Sequence, residues 1–156
     1  MKPSLGRSSS LGSVAVGWRK PPHGRLKLNI DATIRGNRCG LGGLVSDDAG
    51  EFVAGFVKIW QGRLSPLEAE LVGIREALSW IKEKGWDSVD VESDSLGAIK
   101  EILHGSSVSS LGVIAGDIRE IRLLFADISF SHIRRSANMA AHELAQASCS
   151  MSDCIF

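Results

Sequence analysis

From Leu26 the chain alternates strictly, with Leu26, Leu28, Ile30, Ala32 and Ile34 apolar and Lys27, Asn29, Asp31 and Thr33 polar. A period of two predicts a half-buried strand, with Asp31 on its less apolar face. Residues 39–46 and 51–60 predict two more strands, joined through Asp47-Asp48-Ala49-Gly50, a connection short enough for a hairpin. The period then lengthens. Ser65-Pro66-Leu67-Glu68 offers a capping serine, a proline suited to the first helical position and a glutamate that closes a capping box. Leu67, Leu71, Ile74, Leu78 and Ile81 form the buried stripe of a helix running to about Lys84, with Gly85 as its stop. A strand at Ser88–Ser93, a helix from Asp94 to about Leu103, a Gly/Ser-rich link and a helix from about Ser109 to Leu124 follow. A strand at Ile128–His132 and a helix from Ser136 complete the order βββαβααβα. Three meandering strands followed by strands alternating with helices predict an α/β fold, a mixed sheet with helices on both faces.

At 156 residues, 44% apolar and 23% charged, the chain has room for one ordinary globular domain and a short appendage. Pro21-Pro22 and Gly24 interrupt the backbone, so residues 1–24 are expected to be a flexible Ser/Gly/Pro-containing arm, 25–150 the domain and 151–156 a short tail. Eighteen basic and eighteen acidic residues cancel, so net charge alone does not favour a nucleic-acid partner. Their distribution changes that picture. Eight of the basic residues lie within residues 1–38, where Asp31 is the sole acid. This makes a basic arm that is either a solvated tail or, through Arg19, Lys20, Arg25 and Lys27, a segment that tracks phosphates.

The three cysteines, Cys39, Cys149 and Cys154, show no C-x-x-C spacing, which argues against a disulfide framework or zinc ribbon. No apolar run approaches the roughly 20 residues needed to cross a bilayer, so no membrane association is expected. A monomer of the cytoplasm or nucleus is the expectation; residues 1–16, with Ser and Arg but no acids, resemble an organelle transit peptide and leave organelle targeting open.

Asp31, Glu70, Asp94 and the His132–His142 pair occupy positions that core-building does not explain well. Taken singly, Asp31 can be a solvated strand residue, Glu70 a stripe-edge glutamate whose head reaches water, and Asp94 a helix N-cap. Taken together, a strand-face Asp, a sheet-facing helical Glu and an Asp ending a strand can converge at one sheet edge. Carboxylates so placed repel one another and call for hard divalent cations: Mg²⁺ binds through carboxylate oxygens while retaining waters and phosphate oxygens. Two such ions about 4 Å apart can activate a water and stabilise the leaving oxygen of a phosphodiester. A zinc site of His132, His142 and Cys149 matches no compact zinc motif.

The run from Trp18 through Pro21-Pro22 to Asn29-Ile30-Asp31-Ala32 resembles the start of the plant retroelement-type branch of the ribonuclease H family. Glu68-Ala69-Glu70-Leu71 resembles that family's first-helix motif, and Ser93-Asp94-Ser95 its third. Ser131-His132 through Asn138 to His142-Glu143-Leu144-Ala145 is similar to its final segment. The resemblance spans residues 18 to about 148 and implies a ribonuclease H-like fold with a five-stranded sheet. It implies that Asp31 is the carboxylate shared by two Mg²⁺ ions, with Mn²⁺ as an alternative, and that Glu70 and Asp94 complete one ion's shell. His132 takes the position of a flexible catalytic histidine, and Asn138 and Ser95 polar positions near the substrate; read from the sequence alone, Arg134 and Arg135 either contact phosphates or belong to a solvated turn. His142 stands where the family pattern has a fourth carboxylate, and it enters the metal and catalytic set as a substituted ligand. The implied activity is endonucleolytic hydrolysis of the RNA strand of RNA–DNA hybrids. The competing reading is a binding module for such hybrids that has lost turnover.

Overall fold

The protein is described by a computed structural model covering residues 17–105, 109–149 and 154–155. Strands β1 (Leu26–Arg35), β2 (Arg38–Ser46) and β3 (Phe52–Gln61) precede helix α1 (Pro66–Glu83). Then come β4 (Ser88–Ser93), α2 (Leu96–His104), α3 (Ser110–Arg122), β5 (Asp127–His132) and α4 (Met139–Ser148), the last preceded by a 3₁₀ turn at Arg135–Ala137. The predicted βββαβααβα order holds. A two-residue strand β6 (Cys154–Ile155), which the sequence pattern does not predict, adds to β3 opposite Phe56 and Val57. Residues 1–16 of the expected arm, most of the Gly/Ser-rich link and residues 151–153 and 156 of the tail lie outside the described residues.

The sheet runs β5-β4-β1-β2-β3-β6. β1 pairs antiparallel with β2 and parallel with β4, which in turn pairs parallel with β5. The ends of β1, β4 and β5 that carry the candidate residues therefore point the same way. Helix α1 forms where the capping box places it: Ser65 accepts from the Glu68 N–H, and the Glu68 carboxylate accepts from the Ser65 N–H. Leu71, Ile74, Leu78 and Ile81 are fully buried with Leu28, Ile30, Leu41 and Val91 of the sheet. Each such side chain contributes about 1.5–3 kcal/mol on leaving water. Helices α1 to α3 pack together on one face and α4 covers the other.

The half-buried first strand is corrected. Residues Lys27 to Arg35 alternate in chemistry, yet Lys27, Leu28, Asn29, Ile30 and Asp31 are all buried. Alternation records which face is polar, and α4 lies over that polar face. It sits there because Gly40 and Gly42 remove two side chains from β2. A Cβ at Gly42 would lie 2.5 Å from the Ala145 nitrogen and 2.8 Å from the Ala141 oxygen, and one at Gly40 would collide with Ala145 and Ser148. Any larger residue there must push α4 off the sheet, and overpacking of that kind costs about 1–3 kcal/mol.

Residues 17–24, expected as part of a flexible arm, are tied to the domain. Trp18 donates from Nε1 to Asn29 Oδ1 at 2.9 Å, the Gly24 N–H donates to Asp48 Oδ2 at 2.7 Å, and Lys27 Nζ donates to the Arg19 carbonyl. The basic residues entering β1 are paired internally. Arg25 is held by Asp90 and Asp127, and Lys27 lies 2.9 Å from Glu92 with its ammonium over the Trp18 ring. Arg25 and Lys27 thus serve the fold where β1 begins, away from Asp31, and the expectation that they track phosphates is corrected.

Candidate metal centre

Parallel register brings the acidic residues together. Ile30 pairs with Ser93, so Asp31 and Asp94 stand one residue further on at the same end of adjacent strands. Glu70, four residues past the start of α1, reaches down to them. One carboxylate oxygen from each of Asp31, Glu70 and Asp94 lies within 4.8 Å of the others, the only such His/Cys/Asp/Glu group among the described residues. Asp94 is not the helix cap. Ser95 caps α2, its hydroxyl accepting from the Ala98 N–H at 3.1 Å, while its own N–H donates to Ser93 Oγ at 3.0 Å. Capping by Ser95 leaves the Asp94 carboxylate to face Asp31, and it also engages the hydroxyl expected near the substrate.

The cluster is electrostatically unsatisfied. Glu70 Oε1 and Asp94 Oδ2 are buried without a hydrogen-bond partner, and an orphaned buried acceptor costs about 1–3 kcal/mol. Burial, reinforced by the charges of Asp31 and Asp94, pushes the Glu70 carboxyl up to about 9. Burial and then Asp31 also raise Asp94, against the opposing pull of Arg135. The Arg135 guanidinium approaches Asp94 Oδ2 at 3.5 Å from a largely exposed position, a weak offset in high dielectric. Three converging oxygen donors, two of them orphaned, fit a hard divalent ion.

This arrangement has a measurable consequence in the absence of metal. With its pKa raised, Glu70 binds a proton in the folded state that the unfolded state releases near the ordinary carboxylate value. Its contribution to stability is therefore present at low pH and lost as pH rises between about 4.5 and about 9. In chelator, Glu70→Gln should flatten the fall in thermal midpoint between pH 5 and pH 8.5. Parallel midpoint curves for the two proteins would show that Glu70 carries no such strain.

His142 joins the site through Asp31. Its Nδ1 lies 2.7 Å from Asp31 Oδ2, with the two side chains 14% and 2% exposed. With Asp31 ionised, the carboxylate accepts and Nδ1 donates. The substituted fourth position is thus a hydrogen-bond partner of Asp31, beside the ring of three carboxylates. His132 ends β5 opposite Ser93 and is exposed. Arg134 and Arg135 follow it, both exposed. Asn138 is buried, 1% exposed, donating to the Ile30 carbonyl at 2.9 Å and accepting from Asn29 Nδ2 at 3.1 Å. Its amide fixes the start of α4 to β1.

Sequence reasoning missed the polar layer under α4 that supports this placement. Asn29 accepts from Trp18 and donates to both Glu92 and Asn138. The signal was present in the matching alternation of Lys27 and Asn29 on β1 with Asp90 and Glu92 on β4, which a parallel register brings side by side.

A mixed sheet bearing carboxylates at the ends of its central parallel strands, with helices on both faces, is a ribonuclease H-like fold. The chain matches the reverse transcriptase-like family over residues 29–148 and belongs to it. It is 32% identical over 144 residues to a protein of Arabidopsis thaliana named for ribonuclease H, an alignment that covers 88% of this chain. The chain spans about a fifth (22%) of that relative's length. Among solved structures it is similar to ribonuclease H1 of the archaeon Halobacterium salinarum, with a TM-score of 0.75 and 25% identity over 81% of this chain and 98% of that one. It shares its fold with a ribonuclease H1 isolated from compost and crystallised with an RNA/DNA hybrid, with a TM-score of 0.69 and 22% identity over 78% and 94% of the two chains.

Proposed function

We propose that this domain is a metal-dependent endonuclease that binds RNA–DNA hybrids and cuts the RNA strand, slowed by His142 in place of a fourth carboxylate. The observation that carries this reading is the convergence of the Asp31, Glu70 and Asp94 carboxylates within 4.8 Å, with one oxygen each of Glu70 and Asp94 buried without a hydrogen-bond partner. The compost enzyme of the same fold, seen with a hybrid, supports the substrate class. Two Mg²⁺ ions held by Asp31, Glu70 and Asp94 would supply activation of a water and stabilisation of the leaving oxygen.

The protein's own groups do the rest. Asp31, rooted in a buried central strand, fixes the reference point of the site. Exposed His132 can exchange protons with solvent near the departing group, and Arg134 and Arg135 can meet phosphate oxygens bidentately. In-line attack by water at phosphorus breaks the bond to the 3′-oxygen, leaving 5′-phosphate and 3′-hydroxyl ends. Recognition of the RNA strand requires contacts to its 2′-hydroxyls.

A second reading, a hybrid-binding module without turnover, is favoured by the imidazole that occupies the fourth position and bonds Asp31. Incubating the full chain with a labelled hybrid in Mg²⁺ and in Mn²⁺ decides between them. Cleavage confined to the RNA strand, faster in Mn²⁺, is expected, because Mn²⁺ accepts nitrogen ligands more readily. Hybrid binding with no cleavage in either metal would establish the module instead.

A further inference from the structure

Arg135 stands beside Asp94 because its backbone is held on both sides. The Ile133 N–H donates to the Ser93 carbonyl at 2.9 Å, extending the β4–β5 ladder past His132. The Asn138 N–H donates to the Arg135 carbonyl at 2.8 Å, and the Asn138 side chain is tied to the Ile30 carbonyl. Between these anchors the 3₁₀ turn Arg135–Ala137 leads from the end of β5 to the start of α4, past the carboxylates. Among the described residues Arg135 is the only lysine or arginine that pairs with Asp31, Glu70 or Asp94.

Its head group is close but not bonded. Nε lies 3.5 Å from Asp94 Oδ2, yet that oxygen has no hydrogen-bond partner. The Asp94 side chain is 8% exposed and that of Arg135 65%. The backbone is thus fixed while the guanidinium is open to water and can turn into it. A guanidinium cannot yield to another cation by losing its proton, because it stays charged in proteins. It can only swing away. A divalent ion drawing on Asp94 carries two charges of the same sign, and the repulsion between like charges grows with their product.

We propose that Arg135 is a resident counter-ion of the carboxylate centre: it partly neutralises Asp94 when no metal is bound and must turn outward before Asp94 can hold a divalent ion. One side chain then has two effects of opposite sign, favouring the metal-free fold and opposing metal loading. A residue that merely buttressed the site would favour both. Once turned outward, the guanidinium stands beside the centre, free for the phosphate contact proposed above. This deepens the ribonuclease reading and rests on it for the centre being a metal site.

Calorimetric titration of the full chain with Mg²⁺ and with Mn²⁺, beside melting curves in chelator, tests the role without recourse to cleavage. Arg135→Gln should bind both ions at least about threefold more tightly than the native chain. Its thermal midpoint in chelator should fall by about 1–3 °C, the effect of losing one exposed ion pair. Arg135→Lys, which keeps the charge on a flexible stem, should stay within about twofold of native affinity. Lys100→Gln removes the same net charge from an exposed position on α2 and should leave both readouts at native values. Equal or weaker metal binding by Arg135→Gln, a chelator midpoint that does not fall, or an equal gain in Lys100→Gln would overturn the role of Arg135. With metal binding and hybrid cleavage by the native chain intact, any of these results would leave the ribonuclease reading standing. No binding of either ion by any of the four proteins would sink that reading and the counter-ion together.

Discussion

Replacing His142 with aspartate should raise Mg²⁺-supported hybrid cleavage by an order of magnitude or more, on the premise that a metal-ion contribution is worth several kcal/mol. Mg²⁺ strongly prefers oxygen, and in the native chain His142 directs its Nδ1 to Asp31 at 2.7 Å. That bond gives Asp31 an imidazole partner where, on the proposed reading, a fourth oxygen donor would otherwise stand. The seat for the new side chain already exists, because α4 lies on the Gly40 and Gly42 backbone and is pinned by Asn138. Glu143 is no substitute: one step along a helix turns the side chain by roughly 100°, and it is exposed. A fourth carboxylate also adds repulsion, so His142→Asp should melt lower than native protein in chelator and gain more on adding Mg²⁺. Equal cleavage rates in Mg²⁺ for the two proteins would show that the fourth position does not limit the reaction.

Asp31→Asn should remove divalent-metal binding and cut hybrid cleavage by at least about a thousandfold, taking several kcal/mol of metal-ion stabilisation at about 1.4 kcal/mol per factor of ten. The fold should survive. The Asn carbonyl can still accept from His142, and removing the charge relieves Glu70 and Asp94, both of which Asp31 pushes up. The thermal midpoint in chelator should therefore hold or rise. Calorimetric titration with Mg²⁺ and Mn²⁺ beside melting curves tests both halves. Retained metal affinity, or collapse of the domain, would remove Asp31 from the centre of the site.

The elements were legible because each carried a local physical signature: alternation in β1, the capping box before α1, Gly85 after it. Asp31, Glu70 and Asp94 were legible only as a set, since each alone had an ordinary reading as a solvated strand residue, a stripe-edge glutamate or a helix cap, and parallel register of β1 with β4 does bring two of them level. The buried state of Lys27 and Asn29 was hidden, since it depends on α4 crossing the polar face from more than a hundred residues away. The same distance concealed that Asn138 bonds Ile30 and that the basic residues at Arg25 and Lys27 find acids on β4 and β5.

Because Asp31 belongs to a strand hydrogen-bonded on both edges and covered on both faces, its backbone lies in the part of a domain that opens last, by global unfolding more than by local fraying. The amides of residues 27–31 should then exchange with solvent at rates set by whole-domain stability. Asp94, between the end of β4 and the start of α2, can relax sooner. The centre is thus anchored asymmetrically, with Asp31 and Glu70 tied to the cooperative unit of the fold and Asp94 held by its periphery. Partial loosening would move Asp94 away while leaving Asp31 and Glu70 in place.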